Sequence, residues 1–198
     1  LKALAPKFER AAREMARIEA GEIKNPDEHR KVTHFTDRRS YPESELFRSV
    51  QTFAEEVRSG RITGETGKKF DAVVVNGIGG SALGPQLMQF AINGPYWNEK
   101  SDAQRNGYLK IYFLDNTDSA EFADLLEVMD PERTLHLVIS KSGGTQETKN
   151  NMIAMENFYA SKKLSFARHA AAITMKESEL DIVSRPAISI EQIEKGQP

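Results

Sequence analysis

Cysteine is absent from the 198 residues of the chain. The chain therefore forms no disulfide bond and no thiolate metal site, and we expect a cytoplasmic protein because a reducing compartment suits this composition. Long apolar runs are also lacking, so we predict no transmembrane helix and no membrane partner. The first residues do not combine a basic stretch with a long apolar run, which argues against a signal peptide.

An excess of positive charge is lacking too. The sequence has 27 Lys and Arg residues against 29 Asp and Glu residues, for a net charge of −2. Without a basic field there is no indication of a nucleic-acid partner. The length suits one domain, or one domain with an appendage, and it is enough to bury a substantial core.

The first third of the chain is typical of helices joined by polar segments. Apolar residues at helical spacing predict helices over residues 7–21 and 43–59, with Gly21 and Gly60 as their stops. Residues 22–43 are predicted to be irregular and solvated, and residues 61–70 a polar linker. We therefore expect residues 1–66 to form an N-terminal helical segment that packs on the core.

From residue 67 onward, short apolar runs alternate with helical patterns. Strands are predicted near residues 70–76, 109–114, 135–139 and 170–174, and helices near 83–92, 119–129 and 146–162. This alternation predicts an α/β fold with a doubly wound parallel sheet over residues 67–181. Residues 176–181 are predicted to be a loop. Residues 182–198 are a tail of unclear role, with a short helix over 189–195.

Hydroxyl groups and glycines follow the third predicted strand and precede a helix, in the order SKSGGTQET over residues 140–148. Backbone N–H groups of such a loop and of the helix N-terminus attract an anion, and phosphate fits best. The simpler alternative is a polar turn in which one hydroxyl caps the helix, but three hydroxyls exceed that need. The order of residues excludes a Walker A loop.

A second glycine loop, GIGGSALGP, occupies residues 77–85 after the first strand. Gly77, Gly79 and Ala82 match a dinucleotide-binding spacing, but the acidic residue expected about 20 positions later is missing, and Asp115 is the first acid after the next strand. A tight turn without a ligand is a second alternative. We favour a loop whose Gly80 and Ser81 face a polyol. Ligands of parallel sheets bind at the strands' carboxyl ends, where both loops lie.

Three other residues have structural interpretations. We expect His136 to be a core histidine and His169 a surface residue, while Glu147 suits the positive end of a helix dipole. No cluster of His, Asp and Glu has metal-ligand spacing, and no nucleophile elbow is present.

Three segments resemble signatures of glucose-6-phosphate isomerases. Residues 77–85 resemble the family's G-I-G-G-S-x-L-G-P, although Ala82 stands where many members have Asp. Residues 140–148 resemble its S-K-[ST]-x-x-T-x-E-T phosphate loop, and residues 25–34 resemble its N-x-[TD]-E-x-R-x-V-x-H segment. The resemblance covers residues 20–180 in the family's order.

This resemblance implies a sugar isomerase (SIS) domain, a three-layer α-β-α sandwich around the parallel sheet. Its reaction would interconvert glucose 6-phosphate and fructose 6-phosphate in glycolysis and gluconeogenesis. The resemblance also implies a homodimer in the full-length protein and neither cofactor nor metal. The implied substrate-binding residues are Gly80, Ser81, Ser140, Lys141, Ser142 and Thr145. The catalytic base is unknown, because the family's base, ring-opening and enediol-stabilising residues belong to motifs that this chain does not match. We therefore expect the chain to bind sugar phosphate and to be inactive by itself; the alternative is a non-catalytic sugar-phosphate-binding module.

Overall fold

The computed structural model describes residues 2–24 and 31–184. The chain divides into two units, Leu1–Gln51 and Thr52–Pro198. The predicted boundary near residue 66, and the packing of the N-terminal segment on the core, stay predictions. Most of the tail, including the short helix expected over 189–195, lies outside the described residues.

The first unit is helical. Helix α1 (Ala5–Glu19) starts with Pro6 in its first turn, and Gly21 follows its end with a φ of +92° that favours glycine. Helix α2 (His34–Ser40) and a 3-10 turn (Tyr41–Glu43) occupy a segment that we predicted to be irregular, so this prediction was wrong. These short elements bury no side chain, and their sequence therefore carries no apolar period.

The second unit is built on four parallel strands. They are β1 (Ala72–Asn76), β2 (Lys110–Leu114), β3 (Thr134–Ser140) and β4 (Ala170–Thr174). Their order in the sheet is β2-β1-β3-β4 and every pairing is parallel, which confirms the predicted fold class. Helix α3 (Glu45–Ser59) begins in the first unit and ends in the second. The further helices of the second unit are α4 (Leu83–Asn93), α5 (Ser119–Val128), α6 (Gln146–Ser161) and α7 (Glu179–Ser184).

Helix α7 corrects the loop predicted over residues 176–181. It has six residues and buries only Leu180, so it is too short for a periodic pattern to reveal it. None of the described helices is long and apolar enough to cross a membrane.

Helices cover both faces of the sheet. Neighbouring residues of a strand point to opposite faces, so each strand contributes to a cluster on either side. Val74 and Val138 belong to a buried cluster with Leu125 of α5 and Met155 of α6. Val73 faces the other side, in a cluster that includes Phe53 and Val57 of α3. The continuous burial of β1 explains its unbroken apolar run, which is typical of a central parallel strand.

The strand order places a topological switch point between β1 and β3. The chain goes from β1 outward to β2 and then returns to the other side of β1 to form β3. In open α/β sheets, ligands bind beside the carboxyl ends of the strands at such a point. Both loops singled out in the sequence follow these two strands.

A buried aromatic and imidazole cluster lies beside the first half of β3. His136 is 1% exposed, and its Nε2 lies 3.1 Å from the hydroxyl of Tyr159. Its assignment to the core is confirmed. His169 was predicted to lie on the surface, but it is fully buried, and its Nε2 accepts a hydrogen bond from the backbone N–H of Glu65 at 3.1 Å. No local pattern in the sequence indicates that the Gly64–Glu65 backbone packs against this imidazole.

This cluster predicts that acid weakens the fold. Burial, and then the neighbouring His169, lowers the pKa of His136 from 6.5 to about 3, and burial also lowers the pKa of His169. The unfolded chain therefore binds more protons than the folded one as the pH falls from about 6.5 towards 3, and His136 lowers the free energy of unfolding by roughly 1.4 kcal/mol per pH unit in this range. His169 acts in the same direction.

Urea denaturation of the chain and of His136→Gln between pH 7 and pH 4 measures this effect. The glutamine does not titrate, so the variant should lose stability less steeply on acidification. An equal dependence of the free energy of unfolding on pH in the two proteins would contradict the lowered pKa of His136.

Candidate functional site

The two loops lie side by side at the switch point. Asn76 of β1 pairs with Val138 of β3, so Gly77 comes level with Ile139. A Cβ atom at Gly77 would lie 3.1 Å from the carbonyl oxygen of Ile139 and 2.9 Å from the Cβ of Ser81. A residue without a side chain is therefore required where the first loop passes the end of β3.

The first loop leaves β1 through a 3-10 turn, Gly79–Ser81, before helix α4 begins. Gly79 has a φ of +54°, which favours glycine, and the backbone N–H of Ser81 donates to the carbonyl of Ile78 at 3.1 Å. Gly80 is exposed, and a Cβ placed on it would meet no atom within 4 Å. The loop thus offers backbone to a ligand at an open surface.

Ser140 organises the second loop from within. It is 2% exposed, its Oγ accepts a hydrogen bond from the N–H of Gly143 at 3.1 Å, and it lies 2.9 Å from the Oγ1 of Thr145. The two ends of the loop are therefore joined by hydroxyl groups. Thr145 is the N-cap residue of α6, but its side chain makes no capping hydrogen bond, so the capping alternative does not account for this hydroxyl.

The outer side of the second loop is exposed. Lys141, Ser142 and Gly144 are the residues concerned, and the Oγ of Ser142 accepts a hydrogen bond from the N–H of Gly144 at 3.3 Å. Helix α6 begins immediately after the loop and continues to Ser161. The positive end of its dipole therefore points to the exposed loop, which suits an anion.

The end of β4 holds the second loop from behind. The hydroxyl of Thr174 donates to the carbonyl of Ser140 at 2.6 Å and lies 2.8 Å from the hydroxyl of Ser178. The N–H of Met175 donates to the carbonyl of Lys141 at 3.3 Å. These bonds fix the loop's backbone, which limits the entropy that would be lost when a ligand binds.

A small cavity lies behind the loop, between α6 and α7. Its volume is about 50 Å³, and Val138, Met152 and Leu180 are among its lining residues. Sites for small organic ligands occupy roughly 300–1,000 Å³. This cavity is therefore too small to hold a ligand of that size.

The structure brings the predicted site residues together at one edge of the sheet, but it gives them different surroundings. Lys141 and Ser142 are exposed, Ser81 and Thr145 are partly buried, and Ser140 is buried. Their contact with a substrate stays a prediction. Among the described residues, no group of three or more His, Cys, Asp or Glu side chains could hold a metal ion.

Three supporting residues were not predicted from the sequence. Thr174 and Ser178 fasten the second loop, and the buried Asn76 immediately precedes the first loop. A hydroxyl at a strand end and an asparagine before a glycine are common in turns, so neither pattern distinguishes a supporting role.

Solved structures with the same fold include an isomerase. The crystal structure of a glucose-6-phosphate isomerase from Chlamydia trachomatis matches with a TM-score of 0.66 and 30% identity over 89% of this chain and 34% of that chain. A hypothetical protein from Thermus thermophilus shares the fold, with a TM-score of 0.57 and 24% identity over 95% of this chain and 40% of that chain. The chain is thus an α/β protein that shares the fold of this isomerase.

Sequence comparisons give the family. The family model of phosphoglucose isomerase matches residues 3–184. Glucose-6-phosphate isomerases from Trichormus variabilis and Geobacter sulfurreducens are 39% and 40% identical to the chain, over 93% and 89% of its length. The chain therefore belongs to the phosphoglucose isomerase family, which confirms the resemblance found in the sequence. It spans about a third of the length of these relatives, 35% and 34% respectively.

The packing of Gly143 leads to a prediction about the loop. Its φ is +75°, and an added Cβ would lie 2.7 Å from the Oγ of Ser178 and 2.8 Å from the N of Leu180. Gly143→Ala should therefore lower the free energy of unfolding by roughly 1–3 kcal/mol.

The matched control is Gly144→Ala, because a Cβ at Gly144 would meet no atom within 4 Å. It should change stability by no more than about 0.5 kcal/mol. Urea denaturation of both variants tests the assignment, and equal losses of stability would show that the close packing of Gly143 is not what holds the loop.

Proposed function

We propose that the chain binds a phosphorylated hexose between its two loops. The observation that carries this proposal is the placement of an anion-attracting loop and an open glycine loop side by side at the switch point of a parallel sheet. In this arrangement the phosphate lies on the loop of residues 140–145, and the sugar extends toward Gly80 and Ser81. The names of the relatives support glucose 6-phosphate as a ligand. The family resemblance adds fructose 6-phosphate.

The hydroxyl groups of the second loop have different roles in this proposal. Ser142 donates from the exposed side to a phosphate oxygen, and the N-terminal N–H groups of α6 add to the same attraction. Lys141 is exposed beside them and supplies positive charge. Ser140 and Thr145 hydrogen-bond to one another, so Ser140 acts chiefly by shaping the loop and Thr145 contributes from its partly buried position.

The family resemblance extends the proposal to catalysis. The complete reaction is the interconversion of glucose 6-phosphate and fructose 6-phosphate, for which a base must lie within hydrogen-bond reach of the proton it removes. No segment of this chain matches the family's base motif. A homodimer, and a cytoplasmic location, are further proposals that rest on the family resemblance.

We expect the 198-residue chain alone to show little or no isomerase activity, because binding without a positioned base does not accelerate proton transfer. A coupled assay of fructose 6-phosphate conversion by the purified chain measures this. Turnover comparable to that of a complete isomerase would contradict the inference that this chain lacks a positioned base.

Calorimetric titration with fructose 6-phosphate tests the binding proposal. Ser142→Ala removes an exposed donor to a charged group and should weaken binding by roughly 1.5–3 kcal/mol. Ser161→Ala is the matched control, because this exposed serine lies at the opposite end of α6. Its affinity should equal that of the unmodified chain. Unchanged affinity in Ser142→Ala would remove this serine from the site.

A dinucleotide is the weaker candidate for the first loop. In a dinucleotide site, an acidic side chain after the neighbouring strand would have to hydrogen-bond to the ribose. Asp115 follows β2, but its Oδ2 already accepts a hydrogen bond from the amide of Gln86 at 2.6 Å. Binding of NAD that Gly79→Val abolishes and Ser142→Ala leaves intact would favour this alternative over a sugar phosphate.

A further inference from the structure

A buried amide ends the otherwise apolar strand β1. Asn76 is 3% exposed and follows three consecutive valines. A buried amide costs free energy unless its polar atoms are hydrogen-bonded. Its Oδ1 has no hydrogen-bond partner among the described residues, so burying this amide costs free energy that an apolar side chain would not cost.

The other amide atom makes one long-range contact. The Nδ2 of Asn76 donates to the carbonyl of Thr148 at 3.0 Å. Asn76 immediately precedes the first loop, and Thr148 lies in the first turn of α6, immediately beyond the second loop. A single hydrogen bond thus joins the strand that carries one loop to the helix that carries the other.

The sheet alone does not fix the distance between strand β1 and helix α6. The ladder between β1 and β3 ends at the pair Asn76 and Val138, and residues 141–145 separate the last residue of β3 from helix α6. The helix is fastened again farther along, where the Nδ2 of Asn151 donates to the carbonyl of Asn116 at 2.7 Å. That second bond anchors α6 to the residues that follow β2.

We infer that Asn76 is a positioning residue that sets the spacing between the two loops. This inference rests on the proposed function. A ligand that touches both loops depends on their spacing, whereas inorganic phosphate contacts the second loop alone. Loss of the Asn76 bond should therefore weaken the binding of a sugar phosphate and leave the binding of free phosphate unchanged.

The test compares two ligands on three variants. Asn76→Leu and Asn76→Asp both remove the donor at neutral pH while keeping a side chain of similar size. Asn151→Leu removes the other amide contact of α6 and serves as the control. Nuclear magnetic resonance titrations with fructose 6-phosphate and with inorganic phosphate give both dissociation constants, and thermal unfolding confirms that each variant is folded.

Both Asn76 variants should raise the dissociation constant of fructose 6-phosphate about tenfold and change that of phosphate by less than about twofold. The Asn151 variant should change neither by more than about twofold. Equal losses for both ligands, no loss for either, or failure of both Asn76 variants to fold would assign the residue to general stability and overturn the inference. An unmodified chain that binds phosphate but not fructose 6-phosphate would instead overturn the proposed function.

Discussion

The pairing of β1 with β3 is the constraint on which the candidate site depends. Because β2 lies on the other side of β1, the chain reverses its direction of winding between these two strands, and the loops that follow them meet at the same edge. The close approach of Gly77 to Ile139 shows how little space separates the loops there. The residue types of the two loops alone would not make a binding site for a sugar phosphate. Such a site needs one group of residues for the anion and another for the polyol, held at a fixed separation.

Within the second loop, the structure separates residues that shape the loop from residues that face solvent. Ser140 is buried and bonded to its own loop, and Thr174 binds its carbonyl from β4. Ser142 and Lys141 remain on the exposed side. A rigid inner layer of hydrogen bonds beneath an exposed outer layer is what preorganised binding requires, because a fixed backbone has less entropy to lose. A signature motif contains both kinds of residue without distinguishing them.

Much of the fold follows from local patterns in the sequence. The strand around Val74 is an apolar run bounded by turn residues, and the helices of the α/β unit carry periods long enough to detect. Helices α2 and α7 were missed because they are short and bury at most one side chain. The burial of His169 and the long-range bond of Asn76 depend on segments about 70 to 100 residues away, so no local pattern encodes them. The positions of the loop residues were predictable, whereas their burial and partners were not.

The proposed site requires that the two loops act together on one ligand. The most direct measurement is a crystal structure of the chain soaked with fructose 6-phosphate. We expect the phosphate to lie against Ser142 and the N-terminus of α6, with sugar hydroxyls toward Gly80 and Ser81. A phosphate bound elsewhere, or a sugar that points away from the first loop, would contradict joint binding by the two loops.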